Sequence, residues 1–415
     1  MGPSPEHLIA AADIGTSKIA IIVAERSESG AVTCIDSVVA PMHGMREGVV
    51  VDIRAASGAL AAAFETVEQR LGLHLASATF NISGQHIRSR LAYGKWPTNG
   101  REITDDDVER ATLDARHRLD VDDSREIIHE IPRAYLVDGQ RGIRDPRGLS
   151  GYQVEAEVHY TTGAAATITN LERAIRGAGL SPEMFVASPL ASGEALRAHI
   201  GDDECIIVVD IGAETLGVAS YVDGVPWSAY ALATGGEDIV RDLARQLHLP
   251  PEIAAALLYE SGSCSENAAS EAEFDLVTLP GARDGNILVP RSDLTTVIRQ
   301  RAERFGAAIS PAVNDLRNAG YEPDALLLVG GTAALDGLDR LLSQIYALPV
   351  HRGLPDSLQN LAPELALPAL TAAGLVLWHA RYKPPANNEP VAGPGGFFSG
   401  VRRLFKHKRS TYAGV

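Results

Sequence analysis

Apolar residues in this chain follow two periodicities. Unbroken runs from Leu8 to Ala12 and from Ile19 to Val23 flank the turn Asp13-Ile14-Gly15-Thr16-Ser17-Lys18. Short apolar runs bounded by turn residues predict buried strands. The same arrangement returns 197 residues later, in Val208-Val209-Asp210-Ile211-Gly212-Ala213-Glu214-Thr215-Leu216-Gly217-Val218. A third apolar run, Leu326 to Val329, leads into Gly330-Gly331-Thr332. Further strands are expected at Val32 to Ala40, Thr79 to Ser83, Ile87 to Tyr93, Ile127 to Leu136, Val154 to Tyr160 and Phe185 to Pro189. Helical spacing marks Ile53 to Gln69, where Ile53, Leu60, Phe64 and Val67 share a face and Asp52 is placed to cap the N-terminus. It also marks Thr104 to Leu119, Asn170 to Gly179, Ser192 to Ile200, Arg291 to Leu316 and a last packed helix from Thr371. A strand-turn-strand unit repeated at domain-sized spacing predicts two related lobes facing each other across a cleft.

Alone, the first hairpin could be an ordinary one with a hydrophilic tip. Its Gly-Thr-Ser turn, however, offers backbone N–H groups and two hydroxyls to an anion, and Lys18 adds a positive charge. At Gly330 and Gly331 the missing side chains leave room for a flat ligand against the backbone.

Composition narrows the class. At 415 residues there is enough chain for two lobes, and 45% hydrophobic with 22% charged residues is the balance of a soluble globular protein. A formal charge of −16 argues against a general nucleic-acid binder, because only the last stretch is basic. Cys34, Cys205 and Cys264 lie far apart without metal-ligand spacing, as expected in a reducing compartment. No signal-peptide pattern and no run of 18 apolar residues is present, and Glu6 stands where a myristoylation site needs Ser or Thr.

The basic stretch follows a Pro- and Gly-rich linker, 384–396. In it Phe397, Phe398, Val401, Leu404 and Phe405 form one stripe of a helix, accompanied by Arg402, Arg403, Lys406, Lys408 and Arg409. Aromatic anchors beside cations suit a helix lying in an anionic bilayer interface, where each cation near the surface contributes about 1 kcal/mol.

Two Asp-x-Gly hairpins followed by a strand-Gly-Gly-Thr turn resemble the nucleotide-binding set of the actin, Hsp70 and sugar-kinase superfamily. Between the hairpins, Pro132-x-x-Tyr135-x-x-Asp138 and Gly142-Ile143-x-x-Pro146-x-Gly148-Leu149-Ser150-Gly151 resemble the insert of the FtsA family, actin-like bacterial cell-division proteins. Ile82-Ser83-Gly84-Gln85-His86-Ile87 resembles that family's entry into the insert, and Gly235-Gly236-Glu237-Asp238 its entry into subdomain 2B.

The resemblance implies an α/β, actin-like two-lobed ATPase fold with a duplicated RNase H-like core and an α+β insert, subdomain 1C, in place of actin's 1B. Subdomain 1A is then expected over 5–84, 166–204 and 372–383, and 1C over 85–165. Subdomain 2A is expected over 205–240 and 324–371, 2B over 241–323, and a membrane-targeting helix over 397–409. ATP with Mg²⁺ is the implied cofactor, held by Asp13, Gly15, Thr16, Ser17, Lys18, Asp210, Gly212, Thr215, Gly330, Gly331 and Thr332, with Asp13 and Asp210 positioning the metal. Arg301 and Arg291 would receive the C-terminal peptide of FtsZ; without the resemblance the arginines of that helix read as a solvated face.

The implied role is a non-enzymatic adaptor at the division site. It would tether FtsZ filaments to the cytoplasmic face of the membrane through anionic lipids, self-associate, and recruit later division proteins through 1C. A pilus-assembly adaptor of the PilM type and a small-molecule kinase are the alternatives; no base for the kinase is identifiable.

Two departures lower the expected ATP affinity. Relatives carry glycines where this chain has Ala213 and Glu214, and a carboxylate about 5 Å from phosphate would cost roughly 3 kcal/mol at an effective dielectric of 20; a Glu214 pointing outward would instead leave the site usable. Relatives also carry a Glu and a Lys, contacting ribose and adenine, where this chain has Ala255 and Leu258.

Overall fold

The computed structural model describes residues 7–197, 200–201, 204–265, 276–280, 286–355 and 358–382. The first lobe begins with strands β1 (Leu8–Ile14), β2 (Lys18–Arg26) and β3 (Val32–Pro41), then a small hairpin, β4 (Met45–Arg46) and β5 (Val49–Val50). Helix α1 (Ile53–Leu71) follows, its first turn capped by Asp52, whose side chain accepts from the Ala55 N–H at 3.0 Å. Gly72, at φ 65°, ends it. After β6 (Ser77–Ile82) the chain leaves for the insert: β7 (Arg88–Pro97), α2 (Asp105–Arg118), β8 (Arg125–Val137), β9 (Gln140–Ile143) and β10 (Gln153–Ala164). Helix α2 carries Asp105, Asp106 and Asp107 in its first turn and Arg116, His117 and Arg118 in its last, matching the helix dipole at both ends.

The chain returns through α3 (Ala165–Gly177), β11 (Ser181–Ala187) and α4 (Ser188–Ala195). The expected strand to Pro189 therefore stops at Ala187: Pro189 sits in the first helical turn, where its fixed φ favours a helix start and no N–H is needed. The helix expected to begin at Ser192 begins at Ser188, and that expected from Asn170 begins at Ala165.

The second lobe contains β12 (Cys205–Ile211), β13 (Leu216–Val222), β14 (Val225–Leu232), α5 (Gly236–Gln246), α6 (Pro251–Ser261), β15 (Leu276–Pro280), β16 (Asn286–Pro290) and α7 (Arg291–Asn318). It closes with β17 (Ala325–Val329), α8 (Leu338–Tyr346) and β18 (Val350–Arg352), and α9 (Leu370–Tyr382) is the last described helix.

The sheet orders establish the duplication. They run β11-β6-β1-β2-β3 in the first lobe and β18-β17-β12-β13-β14 in the second. In each, three antiparallel strands are joined on the far side of the first strand by two parallel ones. The core of the first lobe continues into the inner face of the second, through Ile206, Val208, Ala219 and Leu327. Helices α4 and α9 lie in this shared core. Every residue of α4 is buried, and Gly374 of α9 comes so close to Ala191 of α4 that an added Cβ would overlap the Ala191 carbonyl oxygen.

The insert has its own sheet, β7-β10-β8-β9, and its own core around Val108, Ala111, Tyr135, Val158 and Tyr160. It also touches the second lobe. Ser89 Oγ donates to the Ala229 carbonyl at 2.7 Å and accepts from the Ala229 N–H at 2.5 Å. The Arg133 guanidinium lies 3.2 Å from the centre of the Trp227 ring, and Trp227 Nε1 donates to Asp315 at 2.9 Å.

Candidate functional site

The two repeated turns meet across the cleft, and each closes with the same bond. The Gly15 N–H donates to the Lys18 carbonyl at 2.9 Å, and the Gly212 N–H to the Thr215 carbonyl at 2.8 Å. Strand β1 delivers Asp13 to one wall and β12 delivers Asp210 to the other. Asn81 of β6 fixes the first wall: its Nδ2 donates to Asp13 at 2.6 Å and its Oδ1 accepts from the Ile14 N–H at 2.7 Å. Ser192 and Thr371, from α4 and α9, donate to Asp210 Oδ2 at 2.7 and 3.1 Å. Gly330, at φ 88°, lies against Asp210 so closely that a Cβ would overlap the carboxylate, whereas Gly331 is open. Thr332 Oγ1 donates to the Gly212 carbonyl at 3.0 Å. The glycine pair thus serves two ends: one packs the second turn, the other leaves space.

Gly15, Thr16, Ser17, Lys18, Gly212, Thr215, Gly330 and Gly331 all line the cleft with the two aspartates, a cavity of about 70 Å³. That volume is below the roughly 300 Å³ at which small-molecule pockets begin, so a whole nucleotide needs the lobes to part. Burial pushes the Asp13 carboxyl up to about 7; Lys18 opposes the shift and Asp210 adds to it. Lys18 is held below its ordinary range, again mainly by burial, against the pull of Asp13 and Asp210. Its ammonium donates to the Pro368 carbonyl. Two carboxylates from opposite lobes, a cation and hydroxyl-rich turns form a donor set that fits phosphate oxygens with a hydrated divalent ion.

Of the two orientations open to Glu214, the structure has the outward one. It does not line the cleft. Its Oε2 accepts from the Glu47 N–H at 2.7 Å, and Arg241 lies 3.9 Å from its Oε1. Glu47 and Gly48 form the tip of the β4–β5 hairpin, and the Gly48 N–H donates to Thr16 Oγ1 at 3.3 Å. The hairpin tip is therefore a strap between the two turns, with Glu214 as its fastening on the second lobe. The carboxylate turns toward an N–H donor and a guanidinium rather than toward the other carboxylates of the cleft.

Ala255 and Leu258 lie on α6 outside the cleft lining, Ala255 exposed and Leu258 half-buried against the second-lobe core. Arg301 and Arg291 are both on α7, at its middle and its start. Arg301 is held by Asp242 of α5, Nε to Oδ2 at 2.7 Å, with 15% of its side chain exposed. Around it Arg245 and Arg304 are 71% and 60% exposed. Phe397, Phe398, Val401, Arg402, Arg403, Leu404, Phe405 and Lys406 lie outside the described residues.

Sequence reasoning overlooked Asn81, Ser192, Thr371 and the strap. An Asn between Phe80 and Ile82 in the buried strand β6 was the available signal, since a buried amide must find partners.

The insert and the second lobe match two family models: "SHS2 domain inserted in FTSA" over residues 84–162, and "Cell division protein FtsA" over residues 207–373. The chain belongs to the FtsA family. The cell-division protein FtsA of Pseudomonas aeruginosa is 28% identical over 390 residues, covering 93% of this chain and 92% of the relative. Among solved structures, a PilM–PilN type IV pilus biogenesis complex superposes with TM-score 0.64 at 16% identity, covering 90% of this chain and 98% of the other. MreB5 of Spiroplasma citri bound to ADP gives 0.52 at 11% identity, covering 91% and 98%. At such identities the two structures show the fold alone. FtsA membership assigns the chain to cell division. Among the described residues no helix is long and apolar enough to cross a membrane.

Proposed function

We propose that this chain tethers FtsZ filaments to the cytoplasmic face of the membrane at the division site. The 397–409 segment enters anionic lipid, the 241–323 region receives the FtsZ C-terminal peptide, and the 85–165 insert serves self-association and recruitment of later division proteins. The cleft takes ATP with Mg²⁺, Asp13 and Asp210 facing the metal's water shell, and the body acts as a scaffold rather than an enzyme.

The observation that carries the reading is the cationic face on α5 and α7. In a chain of net charge −16, Arg245, Arg301 and Arg304 converge on the buried Asp242. Asp242 orients Arg301, and the two exposed neighbours remain available to an acidic peptide.

Co-sedimentation tests it. Phe398→Asp with Phe405→Asp releases the protein from vesicles of phosphatidylglycerol and phosphatidylcholine. Arg301→Ala with Arg304→Ala keeps vesicle binding and loses capture of the FtsZ peptide. Undiminished capture by the arginine variant would remove this face from the proposal.

A further inference from the structure

A second cavity lies at the opposite end of α9 from the cleft. Thr371 at the start of the helix lines the cleft, and Arg381, ten residues on, lines this cavity, roughly 15 Å away along the axis. Its volume is about 520 Å³, within the range of roughly 300–1,000 Å³ of small-molecule sites. Three arginines from separate elements converge on it: Arg26 from the end of β2, Arg197 from the turn after α4, and Arg381. Glu194 is the one acidic residue of the lining among the described residues.

The partners of these groups are unequal. Arg381 Nε lies 3.1 Å from Glu194, and Arg197 donates to the Gly224 carbonyl at 3.0 Å. Arg26 Nη1 is enclosed and has no hydrogen-bond partner among the described residues. Arg197 just beyond α4 and Arg381 in the last turn of α9 offset the helix dipoles, but that role does not extend to Arg26 at a strand end. An enclosed guanidinium nitrogen without an acceptor carries a desolvation cost that a ligand oxygen would relieve. Among the described residues of the lining, three guanidinium groups against one carboxylate leave an excess of two positive charges, in an otherwise acidic chain.

We propose that this cavity binds a phosphate-bearing anion: the phosphodiester of an anionic lipid headgroup or a small soluble phosphate ester. Planar guanidinium groups suit the paired oxygens of a phosphate, and the volume leaves room for a glycerol-sized substituent. Arg381 is followed at once by Tyr382 and the segment leading to residue 397. The lipid source rests on the membrane reading above; the anion chemistry does not.

Calorimetric titration of the full chain with glycerol 3-phosphate tests the site. Arg26→Ala removes the guanidinium whose Nη1 has no partner among the described residues, and it should weaken binding at least about tenfold. Lys18→Ala reports on the cleft, the competing phosphate site, and should leave this affinity in place. Binding that survives Arg26→Ala paired with Arg197→Ala, or that disappears with Lys18→Ala, overturns the proposal.

Vesicles then distinguish the two sources. In a Phe405→Asp background, residual binding to phosphatidylglycerol but not phosphatidylcholine vesicles, lost on adding Arg26→Ala, assigns the headgroup. Glycerol 3-phosphate binding without such vesicle binding assigns the soluble ester. Failure of the membrane reading has a different signature: Phe405→Asp alone would leave wild-type vesicle binding unchanged.

Discussion

Substituting Glu214 separates charge from position. If its carboxylate faced bound phosphates at about 5 Å, neutralising it would strengthen nucleotide binding by roughly 3 kcal/mol, more than a hundredfold. In the structure it is fastened to the Glu47 N–H at 2.7 Å and only 14% of its side chain is exposed. Glu214→Gln keeps an acceptor oxygen for that N–H, so Mg-ATP affinity should change by less than about tenfold. Glu214→Ala removes the acceptor. A hydrogen bond to a charged group is worth about 1.5–3 kcal/mol, and this one also holds Glu47 at φ 51°, outside the preferred backbone region. The Ala variant should therefore lose about 1–2 kcal/mol of stability and free the strap over the cleft, raising hydrogen exchange at Met45–Val50. Calorimetric titration with Mg-ATP and urea unfolding read the two effects independently. A hundredfold tighter complex with Glu214→Gln would refute the outward orientation.

Three other outcomes follow from the packing. Asp13, raised from 3.8 to about 7, contributes stability that is complete below pH 3.8 and lost as pH rises through 7, with a ceiling of roughly 4 kcal/mol because the cleft admits some water. Urea midpoints at pH 5 and pH 8 should therefore differ more in the wild type than in Asp13→Asn; equal slopes would contradict the raised value. Gly374→Ala drives a methyl into the Ala191 carbonyl and should cost about 1–3 kcal/mol in thermal unfolding, and a neutral result would show that α4 and α9 can part freely. Arg133→Met abolishes the stack on Trp227 and leaves Glu157 without the guanidinium 3.0 Å away, a close ion pair that lacks hydrogen-bond alignment. It should cost about 2 kcal/mol and raise hydrogen exchange in both β7 and β14; unaltered exchange in β14 would detach the insert from the second lobe.

The duplication was readable because each copy carries its own apolar runs and its own turn, local features that period and spacing expose. The Asp52 cap and the core faces of α1 and α7 were equally local. Three things depended on distant contacts. Pro189 reads as a strand end until Ser188 is seen bonded to the Ile82 carbonyl and Asn81, where a helix must start. The orientation of Glu214 is set by a backbone N–H 167 residues away. Arg301 has the sequence signature of a solvated arginine, yet Asp242, from another helix, draws it into the body. Side-chain direction was hidden wherever the partner lay across the fold.

The insert's grip on Trp227 and Ala229 has a mechanical meaning. Joined covalently to the first lobe and bonded to the second, it acts as a cross-brace between them, and Gly84 at its entry packs against Gly48 of the strap. A hinge with such a brace resists rotation, so opening the cleft requires either releasing the Ser89 and Arg133 contacts or carrying the insert along. Pull applied at the end of α9 would then pass through both lobes as through one stiff strut, with little of it absorbed as lobe motion.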